Sequence, residues 1–222
     1  MSSSYHNLQY KICVGILQVL MHSLFKIEFV GLDRLPSSGP VILVSNHQSY
    51  LDVPLIGCMY IKKKLIWKNY WVIGKTTFNS KVLNWFYSCC PTVVVNGTVK
   101  AGEAVLSKGY VLTVFPEGFY AWSKHKLIRA GSDPSTLTRK IGSSAAILAL
   151  KTGLPIIPIG LCGTEEALPP FETKPKRGKL SLHVGEPIIL GKPEPEEVTD
   201  EMIAEKSKLI MDRIDALSQK YA

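Results

Sequence analysis

The chain has 222 residues, 46% hydrophobic and 20% charged, a globular balance that excludes a disordered polymer. An excess of 26 Lys+Arg over 18 Asp+Glu gives a net charge of +8, which favours anionic partners without specifying a fold. Its five cysteines are odd in number and form no C-x-x-C pair, arguing against a disulfide framework or zinc knuckle and for a reducing compartment.

The longest charge-free apolar stretch, Ile12 to Phe25, would rise about 21 Å as a helix. That is too short for a hydrocarbon core of ~30 Å. Lys11, Gly15, Gln18, His22 and Lys26 form one narrow stripe on this helix, and its other faces are apolar. Such a helix packs on a core or lies in a membrane interface. Residues 1–25 are therefore read as an amphipathic interface helix and 26–222 as the main domain.

Strands are expected at Lys26–Gly31, Val41–Val44, Trp71–Ile73, Thr92–Val95, Val111–Phe115, Ile156–Leu161 and Leu180–Val184. Helices are expected at Asp52–Tyr60, Phe78–Tyr87, Val99–Ser107, Ile141–Thr152 and across the tail from Met202 to Leu217. This alternation predicts an α/β fold, a mostly parallel sheet flanked by helices. Its chemistry belongs at the carboxyl ends of the strands.

Two strand ends carry polar residues that a core does not need. Ser45-Asn46-His47-Gln48-Ser49-Tyr50-Leu51-Asp52 follows the Val41–Val44 run. An imidazole can serve as general base, with a carboxylate fixing its tautomer. His47 and Asp52 can pair only if the chain bends from strand into helix between them, and Asp52 with Pro54 begins such a helix. Phe115-Pro116-Glu117-Gly118 leaves the second strand and puts one carboxylate at the sheet's rim. No P-loop is complete, because Asn69 stands where its first glycine would fall. No Gly-x-Ser-x-Gly elbow is present, and the histidines show no metal-ligand spacing. From Val53 to Gly102 there are seven lysines and no acid, interleaved with tryptophans. That composition suits an anionic membrane interface better than nucleic acid, for which no RNA-module signature appears.

Four segments together resemble the bacterial-type lysophospholipid and glycerolipid acyltransferases. Asn46-His47 through Asp52 resembles their N-H-x4-D motif, and Gly74-Lys75 with Phe78 sits where their second motif begins. Phe115–Gly118 resembles the third motif and Gly153–Gly160 the fourth, all in family order. The resemblance implies a glycerol-3-phosphate acyltransferase-like fold and a catalytic His47–Asp52 pair. It also implies an acceptor region at Lys75, Glu117 and Gly118, and an acyl-pocket wall at Pro155 and Pro158. The implied reaction moves a fatty acyl group from acyl-CoA or acyl carrier protein, as co-substrate, to a lysophospholipid hydroxyl. The most expected acceptor is 1-acyl-glycerol-3-phosphate, at the cytoplasmic face of a membrane, with no metal and no other cofactor. Other lysolipids, glycolipids or a non-catalytic lipid-binding role are the alternatives. Two positions depart from the family: Asn96 stands where an arginine is usual, and Phe119-Tyr120 replaces Thr-Arg. Lys75, Lys124, Lys126 or Arg129 are candidate substitutes for the missing cations.

Overall fold

The computed structural model describes residues 3–65, 69–73, 92–94 and 98–219. The predicted helix at Phe78–Tyr87 lies outside them, as do Lys75, Asn96 and part of the lysine–tryptophan region. Seven strands form one sheet in the order β1-β7-β6-β2-β5-β3-β4. They are β1 (Phe25–Val30), β2 (Val41–Ser45), β3 (Asn69–Ile73), β4 (Thr92–Val94), β5 (Val111–Val114), β6 (Ile156–Cys162) and β7 (Gly178–Val184). All neighbours run parallel except β6 and β7. The carboxyl ends of β2, β5 and β6 therefore share an edge with the amino ends of β1 and β7.

The apolar runs are continuous because both faces of the sheet are covered. Val41 and Leu43 of β2 join one core cluster with α1 (Ser3–Leu24) and α2 (Asp52–Lys62). Ile42 and Val44 join the other with α3 (Thr98–Leu106), α5 (Ser144–Thr152) and the carboxyl-terminal helix α7 (Asp200–Gln219). Each buried Leu or Ile in these clusters contributes roughly 1.5–3 kcal/mol. The carboxyl end of α7 lies directly on β6 at Gly160, where a Cβ would meet Leu217 Cβ at 2.6 Å. Only glycine permits that approach, and it brings Asp215 of α7 toward the carboxyl end of β6.

Helix α1 extends well before the apolar stretch read from the sequence. Val14 and Met21 are buried with Leu17 and Leu24 against them, and this face packs on α2. A second face carries Ile12, Ile16, Val19 and Leu20, all at least half exposed. Spacings of four, three and one put these four on one ridge. The polar flank passes through Gly15, Gln18 and His22, so the helix packs on protein and presents apolar surface at once. No described helix is long and apolar enough to cross a membrane.

Three elements differ from expectation. Helix α4 (Tyr120–Arg129) and the single turn α6 (Thr164–Ala167) were not anticipated. Of α4 only Ala121 and Trp122 are buried, so it leaves almost no apolar periodicity in the sequence. Helix α5 starts at Ser144 rather than Ile141, whose side chain is 36% exposed.

Candidate active site

Strand β2 ends at Ser45, and the next six residues turn back before α2 begins at Asp52. Asn46 closes the end of the sheet by imitating a peptide. Its Nδ2 donates to the Leu161 carbonyl at 3.0 Å, and its Oδ1 accepts from the Leu161 amide at 2.8 Å. With its side chain spent on β6, His47 is the first residue free of the sheet.

The His47 Nδ1 lies 2.9 Å from Asp52 Oδ2. That same oxygen accepts the backbone amides of Gln48 at 2.6 Å and Ser49 at 2.8 Å. Asp52 is fully buried, and three donors converging on one oxygen suit a carboxylate. An ionised Asp52 requires the hydrogen on Nδ1, which leaves Nε2 with its lone pair. The imidazole stacks on Phe115, with ring centroids 4.4 Å apart, and leans against Trp122 at 4.6 Å. These rings fix its plane, and its side chain remains 17% exposed.

Glu117, leaving β5, is buried and accepts the His47 backbone amide at 2.8 Å through Oε2. Its Oε1 lies 2.7 Å from Arg139 Nη2. Arg139 also grips Asp215 of α7, at 2.7 and 3.0 Å. Burial pushes the Glu117 carboxyl above its ordinary value, and the His47 amide and the Arg139 charge only partly oppose it. Gly118, at φ +55°, makes the turn that follows, and its amide donates to the Phe115 carbonyl.

The structure thus joins His47, Asp52, Glu117 and Gly118 within one edge. Lys75 lies outside the described residues. Pro155 and Pro158 are not part of this edge. Pro155 precedes β6, a seven-residue strand about 20 Å long, at the end opposite His47. Pro158 pairs with Val44 and lines a cavity with Arg34 and Gly185 on the far side. Lys124 is bound to Glu165 at 3.1 Å, and Arg129 lies over the Phe171 ring. Sequence reasoning missed Asn46, Arg139 and Asp215 as site residues. Asn46 stood inside the motif, but no local signal connects Arg139 to a glutamate 22 positions earlier or an aspartate in the final helix.

A mostly parallel α/β sheet thus carries at its edge a histidine oriented by a buried carboxylate, an arrangement that can act as a general base. The acyltransferase family model matches residues 26–162. The chain belongs to that family. It is 30% identical over 161 residues to a chloroplastic 1-acyl-sn-glycerol-3-phosphate acyltransferase of Arabidopsis thaliana, covering 68% of this chain and 40% of that protein. It is 29% identical to the Brassica napus counterpart, over 68% and 41% of the two chains. The chain therefore spans about two fifths of the length of these plant relatives. Its fold is that of the 1-acyl-sn-glycerophosphate acyltransferase PlsC from Thermotoga maritima. The TM-score is 0.67 at 20% identity, over 97% of this chain and 81% of that one.

Proposed function

We propose that this protein is an O-acyltransferase that converts 1-acyl-glycerol-3-phosphate to phosphatidic acid with an acyl thioester as donor. The observation that carries this reading is the His47–Asp52 contact of 2.9 Å, which leaves Nε2 open at the sheet edge. His47 Nε2 takes the proton of the acceptor hydroxyl as the alkoxide oxygen attacks the thioester carbonyl carbon. The tetrahedral adduct collapses with cleavage of the C–S bond, and the thiolate departs with the proton returned from the imidazolium. Asp52 supports the imidazolium between these steps. Glu117 holds the His47 backbone, and with Gly118 borders the acceptor's approach.

A cavity of about 280 Å³ beside Glu117 is lined by Gln48, Tyr120, Lys124 and Arg139. Its two cations are both paired with acids of the same cavity, Lys124 with Glu165 and Arg139 with Glu117 and Asp215, so a phosphate there would have to compete with these carboxylates. The exposed Ile12–Leu20 ridge of α1 and the lysines at 62–64 support peripheral attachment to an anionic membrane, at its cytoplasmic face. The deciding experiment measures thiol release from an acyl-CoA across lysophosphatidate, lysophospholipids with capped phosphates, and glycolipids. Turnover strongest with lysophosphatidate is expected. Thiol release independent of any hydroxyl acceptor would refute the reading.

A further inference from the structure

Two runs of aromatic rings meet at the His47 imidazole. Phe115 stacks on it with the planes 24° apart, and Trp71 lies 6.2 Å from Phe115 in a plane only 16° from parallel. Trp122 approaches the imidazole at 4.6 Å with its plane tilted by 49°. Tyr50 and Phe119 brace the indole in turn, at 5.4 and 5.9 Å and at angles of 72° and 86°. Apart from Ala121, Trp122 is the only buried residue of α4. The helix is pinned further along by Lys124 and His125, which meet Glu165 at 3.1 and 2.8 Å. Helix α4 therefore delivers one large side chain to the body of the protein, and that side chain rests on the catalytic base.

The charges around the ring are already committed. Asp52 takes Nδ1, and Glu117 takes the His47 backbone amide rather than the ring. Arg139 is bound to Glu117 and Asp215, and Lys124 and His125 share Glu165. Among the described residues Asp52 is the one carboxylate bonded to the imidazole. A proton arriving on Nε2 makes a cation, and both Phe115 and Trp122 lie within the ~6 Å over which an aromatic ring attracts one. A π face attracts an imidazolium and is nearly indifferent to a neutral imidazole, so its effect appears only as the proton crosses. A second carboxylate would instead act on the resting ring and hold a proton there.

We propose that Trp122 is a positioning residue for acyl transfer, stabilising with Phe115 the imidazolium that His47 becomes while it carries the acceptor's proton. The assignment rests on the acyl-transfer reading above and extends it to how the base is supported. In that step the hydroxyl O–H bond breaks as the C–O bond forms, with the proton held on Nε2. The C–S bond then breaks, and the proton passes to the departing sulfur. Indole has the strongest π face among the aromatic side chains. Leucine in its place would exclude water in the same way but would offer the cation nothing, so the comparison isolates the π face from the packing.

The test follows the His47 ring by heteronuclear NMR in the full chain, its signal identified by its loss in His47→Gln. Trp122→Leu is expected to lower the pH at which the ring gains its proton by about one unit, because the imidazolium loses a partner. It should also reduce kcat about three- to tenfold with little change in KM. Trp122→Phe restores a π face and should recover most of both losses. Fluorotryptophan incorporated throughout the chain keeps the shape of indole and weakens its face, which covers the case in which leucine prevents folding. It should lower the same titration in the wild type and leave that of Trp122→Phe in place. A titration unmoved or raised in Trp122→Leu, or lowered equally in Trp122→Phe, would overturn the proposal, as would a fluorination effect that survives in Trp122→Phe. A fall in kcat with the titration unmoved would likewise reduce Trp122 to packing. A His47 titration that responds to Trp122 as expected, in a protein that releases no thiol with any lysolipid, would refute acyl transfer and leave the aromatic support of the imidazolium assigned.

Discussion

Among the described residues, Arg139→Met removes the only cation bonded to the buried Glu117 carboxylate. Three charge-assisted hydrogen bonds disappear, two to Asp215 and one to Glu117. The Asp215 side chain is 31% exposed and returns to water, but that of Glu117 is 4% exposed and does not. The expected destabilisation is therefore about 2 kcal/mol, below the figure for a fully buried pair. Its pH dependence is the sharper readout. The folded Glu117 carboxyl already lies above its ordinary 4.5 because of burial. Its contribution to stability is fully present below that value and is lost as pH rises through the folded value. Losing Arg139 raises the folded value further, so the variant's deficit should be small near about pH 4.5 and grow toward neutrality. Urea denaturation of both proteins across this range measures it. The acid limb of kcat should move upward in parallel, because a protonated Glu117 no longer accepts the His47 amide as strongly. Arg139→Lys, keeping the charge but not the fork, should restore most of the pH profile and less of the stability. A deficit independent of pH, with superimposable acid limbs, would refute this reasoning and leave Arg139 a clamp on α7 alone.

His47→Ala should lower kcat by about 10²–10⁴-fold without unfolding the protein; a loss below about tenfold would remove His47 as the base. Asp52→Asn should damage both activity and stability, because Oδ2 serves the Gln48 and Ser49 amides as well as the imidazole. Thiol release and thermal melting read the two effects separately. Ile16→Glu with Leu20→Glu should cut binding to anionic vesicles while leaving the melting temperature close to wild type, since both side chains are exposed; unchanged vesicle sedimentation would refute the interfacial role of α1. Asn46→Ala leaves the Leu161 amide and carbonyl buried without their partners, and should cost about 1–3 kcal/mol in urea denaturation.

What the sequence made legible follows from how many neighbours each segment needs. Strands buried on both faces announce themselves: Val41–Ser45, Val111–Val114 and Ile156–Cys162 coincide closely with their apolar runs. The direction of β7 did not, because a strand between β1 and β6 can run either way and its alternation is the same. Helix α4 escaped because only Ala121 and Trp122 are buried, while its other apolar residues, Leu127 and Ile128, stay partly or largely exposed. The apolar helix α1 was visible, but its sharing between protein and open surface was not. Both outcomes use the same hydrophobic residues, and only the placement of α2 separates Val14 and Met21 from Ile16 and Val19.

The site divides in the same manner, and the spacing of His47 and Asp52 shows why half of it was readable. A carboxylate five residues after a histidine cannot face it along one ideal helix, since five steps of about 100° leave the two about 140° apart. The structure resolves this with a non-helical turn through residues 46–51, after which α2 begins at Asp52 itself. Asp52 then points back and collects the amides at 48 and 49 together with the imidazole. Those amides are part of the turn, so the aspartate that orients the histidine also builds the loop that presents it. Such a constraint is local and leaves a fixed spacing in the chain. Arg139 answers to residues 22 and 76 positions away, on β5's exit and on α7, and nothing in its own neighbourhood records that. Its role exists only once Gly160 has let α7 settle onto β6.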